Sequence, residues 1–480
     1  MSAQMLRSWA RGRPHETQAD AGFALFGVMV LSCIMMLLIL SVLTFGSLDA
    51  ALAKNRAAKS CAFYLAEGGL ARGVAWLQAQ TEAPSGTETI MPFGETPDSV
   101  GHGTYLVSIV PDSTNGVLAR PTYTILSTGS VDGHERSLEL GVRVELFTDF
   151  LYFTDSEHEP GSGAPIWFHS GDVIDGPLFT NDQISIQGDP TFANVAVSAY
   201  GGAGDPNPSH EPGFLYYNGD QFNNIESAEE SNPPHDHPDF QDGSSLGSRY
   251  INYPGHQLTD EIALAAGISV NGTYEIVLGR PHDVTGEPMY GYVSYRKPAQ
   301  GNPSWTDVQI SSFNGLMYVN GSFDVSGVLD GTLTLATNGS VSIVDDILYR
   351  DSDAGGPTVH CDDVLGLITG TDITIADNAA NQDDCVIHAA MVALDNCFRA
   401  EDWGSGPLRG DLSVYGSIVQ SYRGAVGTSE VVGGEETLLT GYAKDYHYDW
   451  RLLDISPPKF SVFFDTGEYG RLRWREVDGS

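Results

Sequence analysis

An α+β fold, mostly β, follows from three observations on this sequence. An uncharged apolar run extends from Gly22 to Leu48, and no proline interrupts the chain from Phe23 to about Gln80. Glycine is abundant, with 55 among 480 residues. Beyond the apolar run, short segments alternate polar and apolar side chains between turn residues, the pattern of half-buried strands. The predicted order is a basic leader over 1–22 and a membrane-spanning and stalk helix over 23–80. A small antiparallel β neck follows over 81–147, then a large right-handed parallel β-helix-like head over 148–476. A β-sandwich uses the same vocabulary of strands and turns and is the alternative for the head.

The apolar run exceeds the ~20 residues a helix needs to cross a bilayer. Phe23, Leu25, Val28, Leu31, Ile34, Leu37, Leu38, Leu40 and Leu43 are its membrane-anchor residues. A cleaved secretory signal, ending at Ala51-Leu52-Ala53, would have an apolar core longer than the ~7–15 residues usual for one. A lipoprotein cut before Cys33 would leave the apolar Ile34-Met35-Met36-Leu37-Leu38 behind it. A retained helix is therefore the reading. Arg7, Arg11 and Arg13 precede the span and Lys54, Arg56 and Lys59 follow it, so positive charge alone does not fix the orientation. The bulky acidic, glycine-rich portion favours export of the carboxyl side. The expectation is a single-pass membrane protein with its head outside the cytoplasm.

Acidic side chains number 62 against 24 basic ones, a formal net charge of -38. Such a surface repels phosphate backbones and excludes nucleic acid as a partner. Five cysteines do not make a disulfide framework. An oxidising compartment would permit one bridge among Cys361, Cys385 and Cys397, and buried free thiols are the other reading. No zinc-type His/Cys spacing occurs, and no catalytic signature of the common hydrolase, phosphate-loop or dinucleotide kinds. Neither a metal site nor a catalytic residue is assigned.

The stretch Gly22-Phe23-Ala24-Leu25-Phe26 behind a basic leader resembles the processing region of type IV pilins and pseudopilins. The resemblance implies a leader cut between Gly22 and Phe23. Gly27 then stands at the fifth mature position, where such pilins usually carry a glutamate that helps them join the filament. Residues 57–71, with Ala62-Phe63-Tyr64-Leu65-Ala66-Glu67-Gly68-Gly69-Leu70 at their centre, resemble a segment of PilX-like pilus-assembly proteins. Partners implied are membrane lipid and the pilin-like helices of other subunits. The implied role is structural or adhesive, as a minor component or assembly factor of a type IV pilus or type II secretion-like apparatus.

Thr81 to Val100 reads as a linker. Segments 104–110, 122–129 and 136–144 alternate with period two and form the neck meander, which should pack on the upper helix. In the head, Leu316/Tyr318, Phe323/Val325, Leu333/Leu335, Val341/Ile343, Ile373/Ile375 and Leu412/Val414 are short inward-facing pairs separated by glycines. Ile184/Ile186 and Val195/Val197 suggest an earlier coil, separated by a long loop over 201–247. In that loop His235-Asp236-His237 reads as solvated rather than metal-binding. Thr259 is the expected N-cap of a short helix ending near Ala266. Residues 148–476 resemble, through an ordered set of segments beginning at Gly171-Asp172-Val173-Ile174-Asp175-Gly176, a bacterial domain of unknown function found behind PilX-like anchors. That resemblance implies no activity.

The alternative function is a surface carbohydrate-active β-helix enzyme, with surface glycan as partner; a surface-anchored protein outside any filament is a third. Asp172, Asp175, Asp362 and Asp363 are the candidate ligand or calcium face, with Arg399 or Arg423 as charge stabiliser. Asp-Gly and Asn-Asp steps also serve ordinary turns, and no cofactor is otherwise expected. His388 reads as a satisfied core histidine. The cluster from Tyr442 to Trp450 reads as a cap on the last coil, or else as a sugar-stacking platform.

Overall fold

Leucine, alanine and methionine lose little rotamer freedom in a helix, and they supply 11 of the 27 residues of the apolar run. The computed structural model describes residues 18–80, 84, 86–112, 120–218, 221–225, 236–280, 288–298, 304–353, 355–432 and 435–477. In it the run opens a single helix, α1 (Gln18–Gln78). Its 61 residues span roughly 90 Å at ~1.5 Å per residue. Residues 23–57 are exposed on every side. The hydroxyls of Ser41, Thr44 and Ser47 there donate back to helix carbonyls, at 2.8–3.0 Å. Those three hydroxyls are thus satisfied within the helix itself, as a hydrocarbon environment would require of them.

From Ala58 onward α1 buries one stripe, Ala58, Ala62, Ala66, Leu70 and Leu77, against an antiparallel sheet. Its strands are β1 (Asp98–Val100), β2 (Gly103–Pro111), β3 (Thr122–Val131) and β4 (His134–Leu146), followed by a closing strand, Asp465–Val477. Alternate residues face the helix: Tyr105, Val107 and Ile109; Tyr123 and Ile125; then Leu138, Leu140, Val142 and Val144. Glycine sets how near the layers come. A Cβ on Gly69 would stand 2.1 Å from Ser127 Oγ, and one on Gly129 would stand 2.1 Å from the Ala62 carbonyl oxygen. The glycine of the Ala66-Glu67-Gly68-Gly69-Leu70 segment thus has a packing reason in this chain.

Two sequence expectations differ here. The span expected to be linker contains β1 and a bridge between Ile90 and Ile109. The last residues, expected to close the head, belong to the neck sheet. The closing strand pairs with β4 from Asp465↔Leu146 to Val477↔Ser137. Tyr469 and Trp474 draw it there, meeting Tyr123 and Phe63 edge-on at 5.9 and 6.2 Å.

The head is built of parallel strands in register. One ladder runs Ile268–Asn271, Leu316–Asn320, Thr332–Thr337, Val364–Thr369, Cys385–Ala393, Leu408–Tyr422, β5 (Tyr152–Ser156), Leu178–Thr180, Ala196–Ser198 and Ser244–Ser245. A second runs Tyr274–Leu278, Phe323–Leu329, Val341–Tyr349, Ile373–Ile375 and Phe398–Ala400. A third joins Cys385–Ala393, Leu408–Tyr422, Glu435–Tyr448, Val173–Asp175, Thr191–Phe192 and Asp239–Phe240. The later residue pairs singled out in the sequence lie in these strands. Of the early ones, Val197 lies in the first ladder, whereas Ile186 sits in a separate four-stranded sheet beside Tyr216. Like side chains stack rung on rung. Asn271, Asn320 and Asn338 hydrogen-bond in a row at 2.9 and 2.8 Å, and Phe153 lies parallel to Phe179 at 5.3 Å.

The described part of the 201–247 loop supplies rungs of its own, while His235 lies outside the described residues. The short helix is α2 (Leu258–Ala265), with Gln257 at the position before its first residue and no side-chain capping bond. Thr259 lies inside it, buried, its hydroxyl donating to His256 O at 2.8 Å instead of capping.

The chain enters the stack in the middle. β5, the first strand of the first ladder in chain order, pairs with Leu408–Tyr422, which comes late. Across this seam the fully buried Arg423 and Glu157 form an ion pair at 2.8 Å. Arg423 also donates to the Ile166 and Trp167 carbonyls at 3.0 and 3.1 Å and lies 3.6 Å over the Phe168 ring. Thr154 donates to the other Glu157 oxygen. Removing one partner of such a pair strands a charge in the core, so Arg423→Met should cost about 3–5 kcal/mol of unfolding free energy, read from the urea midpoint of the detergent-solubilised chain.

Candidate functional groove

Outward-facing residues of the second ladder fall in one column, Glu275, Asp324, Ser342, Thr374 and Arg399. Burial, reinforced by the Glu275 charge, raises the Asp324 carboxyl. At the Arg399 end the surface sinks into linked hollows. The first, about 410 Å³, is lined by Ser340, Ser342, Thr374, Arg399, Glu401 and Asp402. Arg399 also lines the next, about 120 Å³, with Glu159, Asn396, Trp403 and Gly424. Gly424 and Lys444 also line a void of about 10 Å³ among the buried Tyr152, Phe168, Ile174 and Arg423, and Lys444 lines a separate hollow of about 220 Å³. That last hollow lies beside a hairpin of Gly427–Val432 and Glu435–Tyr448, whose Thr440 hydroxyl donates to Trp403 O at 2.6 Å. Arg399 is held by Asp372 at 3.4 Å, and Asn396 Oδ1 is buried without a hydrogen-bond partner among the described residues.

Of the four aspartates singled out in the sequence, Asp172 lines the hollow of about 220 Å³. Asp172 meets Lys444 Nζ at 2.5 Å and accepts the His169 N–H at 3.0 Å. Burial works to raise its carboxyl, but the Lys444 ammonium outweighs that and holds it below the usual range. Asp175 pairs with His447 Nδ1 at 3.1 Å, and His447 Nε2 with Asp445 at 2.9 Å. Asp363 is buried in the turn before Val364–Thr369, accepting the Gly331 and Asp351 N–H groups at 2.6 and 3.2 Å. Asp362 beside it is exposed. The two pairs sit on separate rungs, and no three His, Cys, Asp or Glu side chains converge as a metal set among the described residues. Arg399 lies in the groove, whereas Arg423 lies in the core.

Sequence reasoning left Trp403, Asn396 and Lys444 unmarked. Only the scarcity of lysine could have drawn notice to the last, because the hairpin that brings it to Asp172 is a tertiary feature.

The aromatic cluster is internal rather than a terminal cap, because its strand pairs on both sides within the third ladder. Tyr442 and Tyr448 are buried, donating to Asn381 O and Thr148 O at 2.5 and 2.8 Å. Cys361, Cys385 and Cys397 are free and buried, and burial pushes the last two thiols up to about 12. His388 belongs to a row of rings, Tyr349, His388, Tyr415 and His447, spaced 4.9–5.3 Å apart. Its Nδ1 accepts the Tyr349 N–H at 3.0 Å.

Residues 119–200 match a family model described as a domain of unknown function, DUF4900. No curated protein matches the chain. Among solved structures, the competence-associated pilin ComZ from Thermus thermophilus is similar at 11% identity, covering 88% of this chain and 97% of that one. The TM-score is 0.33, too low to carry an argument about function.

Burial, with the Arg451 charge behind it, lowers His388 from 6.5 to about 4. The unfolded chain therefore takes up this proton first as pH falls, and stability is lost between about 6.5 and 4. At ~1.4 kcal/mol per pH unit the loss approaches roughly 3 kcal/mol. His388→Gln should flatten that limb of the urea-midpoint profile relative to the parent.

Proposed function

We propose that this chain is a pilin-like, membrane-anchored surface protein, a minor component or assembly factor of the type IV pilus or type II secretion-like class. It displays a right-handed parallel β-helical head outside the cytoplasm. The observation that carries this reading is the division of α1. One half is apolar and bare on every side, and the other is buried along a single stripe against a four-strand meander closed by the chain's last strand. A helix apolar all round belongs in lipid or among like helices. The parallel registers support the β-helix, and the hand follows from the near-universal right-handedness of parallel crossovers. Gly22 falls in the second turn of α1, so a leader cut there would trim the helix and leave its packed half untouched.

N-terminal sequencing of the membrane-extracted mature chain should find Phe23 first, and should find the leader retained when the host's prepilin peptidase is deleted. A start at Lys54, or an uncut terminus in the wild-type host, would remove the filament reading.

The groove favours a second role as a glycan-binding face. Trp403, Asn396, Arg399 and the acids beside them are the side chains that bind neutral sugars, by stacking and by paired hydrogen bonds. Calorimetry with β-1,4-linked glucose and N-acetylglucosamine hexamers should show binding that Trp403→Ala weakens tenfold or more. Heat signals unchanged by that substitution would exclude the groove.

A further inference from the structure

The closing strand has β4 on one side and no partner strand on the other among the described residues. Its exposed run is Arg471, Leu472, Arg473, Trp474 and Arg475, with Leu472 and Trp474 about half exposed. Three of the chain's 24 cationic side chains thus fall within five residues, against 62 acidic ones in all. Arg473 and Arg475 share one carboxylate, Glu139, at 2.6 and 2.7 Å, so the run from Arg471 to Arg475 keeps an excess of positive charge, while Asp465, Glu468 and Glu476 make the strand as a whole neutral. Like-charged edges repel each other, so the arginines oppose edge-to-edge pairing of two copies. They attract an acidic face.

The head carries such a face. Asp345 lies in Val341–Tyr349, Asp383 and Asp384 stand just before Cys385–Ala393, and Asp411 lies in Leu408–Tyr422, and all four are exposed. Asp346 and Asp384 accept the backbone N–H groups of Val386 and Asp411, both at 2.9 Å, which fixes the carboxylates rung by rung. Arg409, close in sequence, is buried and spoken for by Asp377 at 2.8 Å.

We propose that the open edge of the closing strand docks a second copy of this chain through that copy's aspartate stripe. Two different patches meet, so the contact is heterologous and repeats from copy to copy, giving an open chain of heads and not a closed pair. It does not depend on leader processing. Leu472 and Trp474 supply apolar area between the charges, while the net charge of -38 keeps other orientations apart.

The test is sedimentation of the full-length chain in neutral detergent micelles at ~0.15 M salt, where the screening length is about 8 Å. The parent should self-associate, and Arg473→Glu with Arg475→Glu, or Asp383→Lys with Asp411→Lys, should each weaken association at least tenfold. An equimolar mixture of the two variants should recover it, because the unaltered arginine edge of the aspartate variant meets the unaltered aspartate stripe of the arginine variant. The aspartate variant decides alone if the arginine variant fails to fold around Glu139. Association that ignores both reversals would place the contact in the bare half of α1 and overturn the proposal. So would a mixture no better than its parts, or a parent that stays monomeric at every concentration.

Discussion

The buried ion pair between Arg423 and Glu157 is the constraint on which the head depends. In a stack whose rungs follow chain order, each strand finds its neighbour close by in sequence. Here the rung from β5 must wait for Leu408–Tyr422, more than two hundred residues later. Loop closure over that length is entropically unfavourable. The contacts at the seam must therefore be specific as well as favourable. A guanidinium that meets one carboxylate, two carbonyls and a phenyl face satisfies that demand, because a slipped register would leave a charge unpaired in the core.

A second set of polar contacts ties the head to the neck. Arg120, buried, pairs with Asp149 and donates to Leu453 O, which also accepts from Arg143 at 2.7 Å. Burial, then the Asp149 charge, raises the nearby Glu145 carboxyl to about 7. The folded junction thus holds this proton more tightly than the unfolded chain does. As pH rises from about 4.5 through 7 it loses stability, opposite in sign to the contribution of His388. The two windows overlap between about 4.5 and 6.5, so over that range the two contributions change in opposite directions and partly offset each other.

Local chemistry was legible in the sequence and non-local pairing was not. The helix, the period-two strands and the glycine-punctuated apolar pairs are each written within ten residues or so, and the structure has them. His388 read as a core residue because an apolar segment surrounds it, and it is one. The destination of the last strand could not be read, since nothing in Tyr469 or Trp474 says which of two sheets will take them. The same holds for the groove. Arg399 and Trp403 stand close in one stretch of chain, but only stacking sets them beside Ser342 and Thr374, and only the hairpin brings Lys444 to Asp172. The tyrosines from Tyr442 to Tyr448 suggested a terminal cap because they stand late in the chain, whereas the stack's ends lie elsewhere in sequence.

Leu146, where the chain leaves the neck, and Asp465, where it returns, are cross-strand partners. Their Cα atoms therefore stand about 5 Å apart, as partners in an antiparallel pair do. Everything between them hangs from the neck as an insert at the end of a two-strand ribbon, a gap that a short turn could bridge. Insertions of that kind are tolerated because the host's own geometry is already satisfied without the guest. The neck and its helix thus form a self-contained handle, and its guest could be exchanged for another insert, or for a short turn, without redesign of the sheet that holds it.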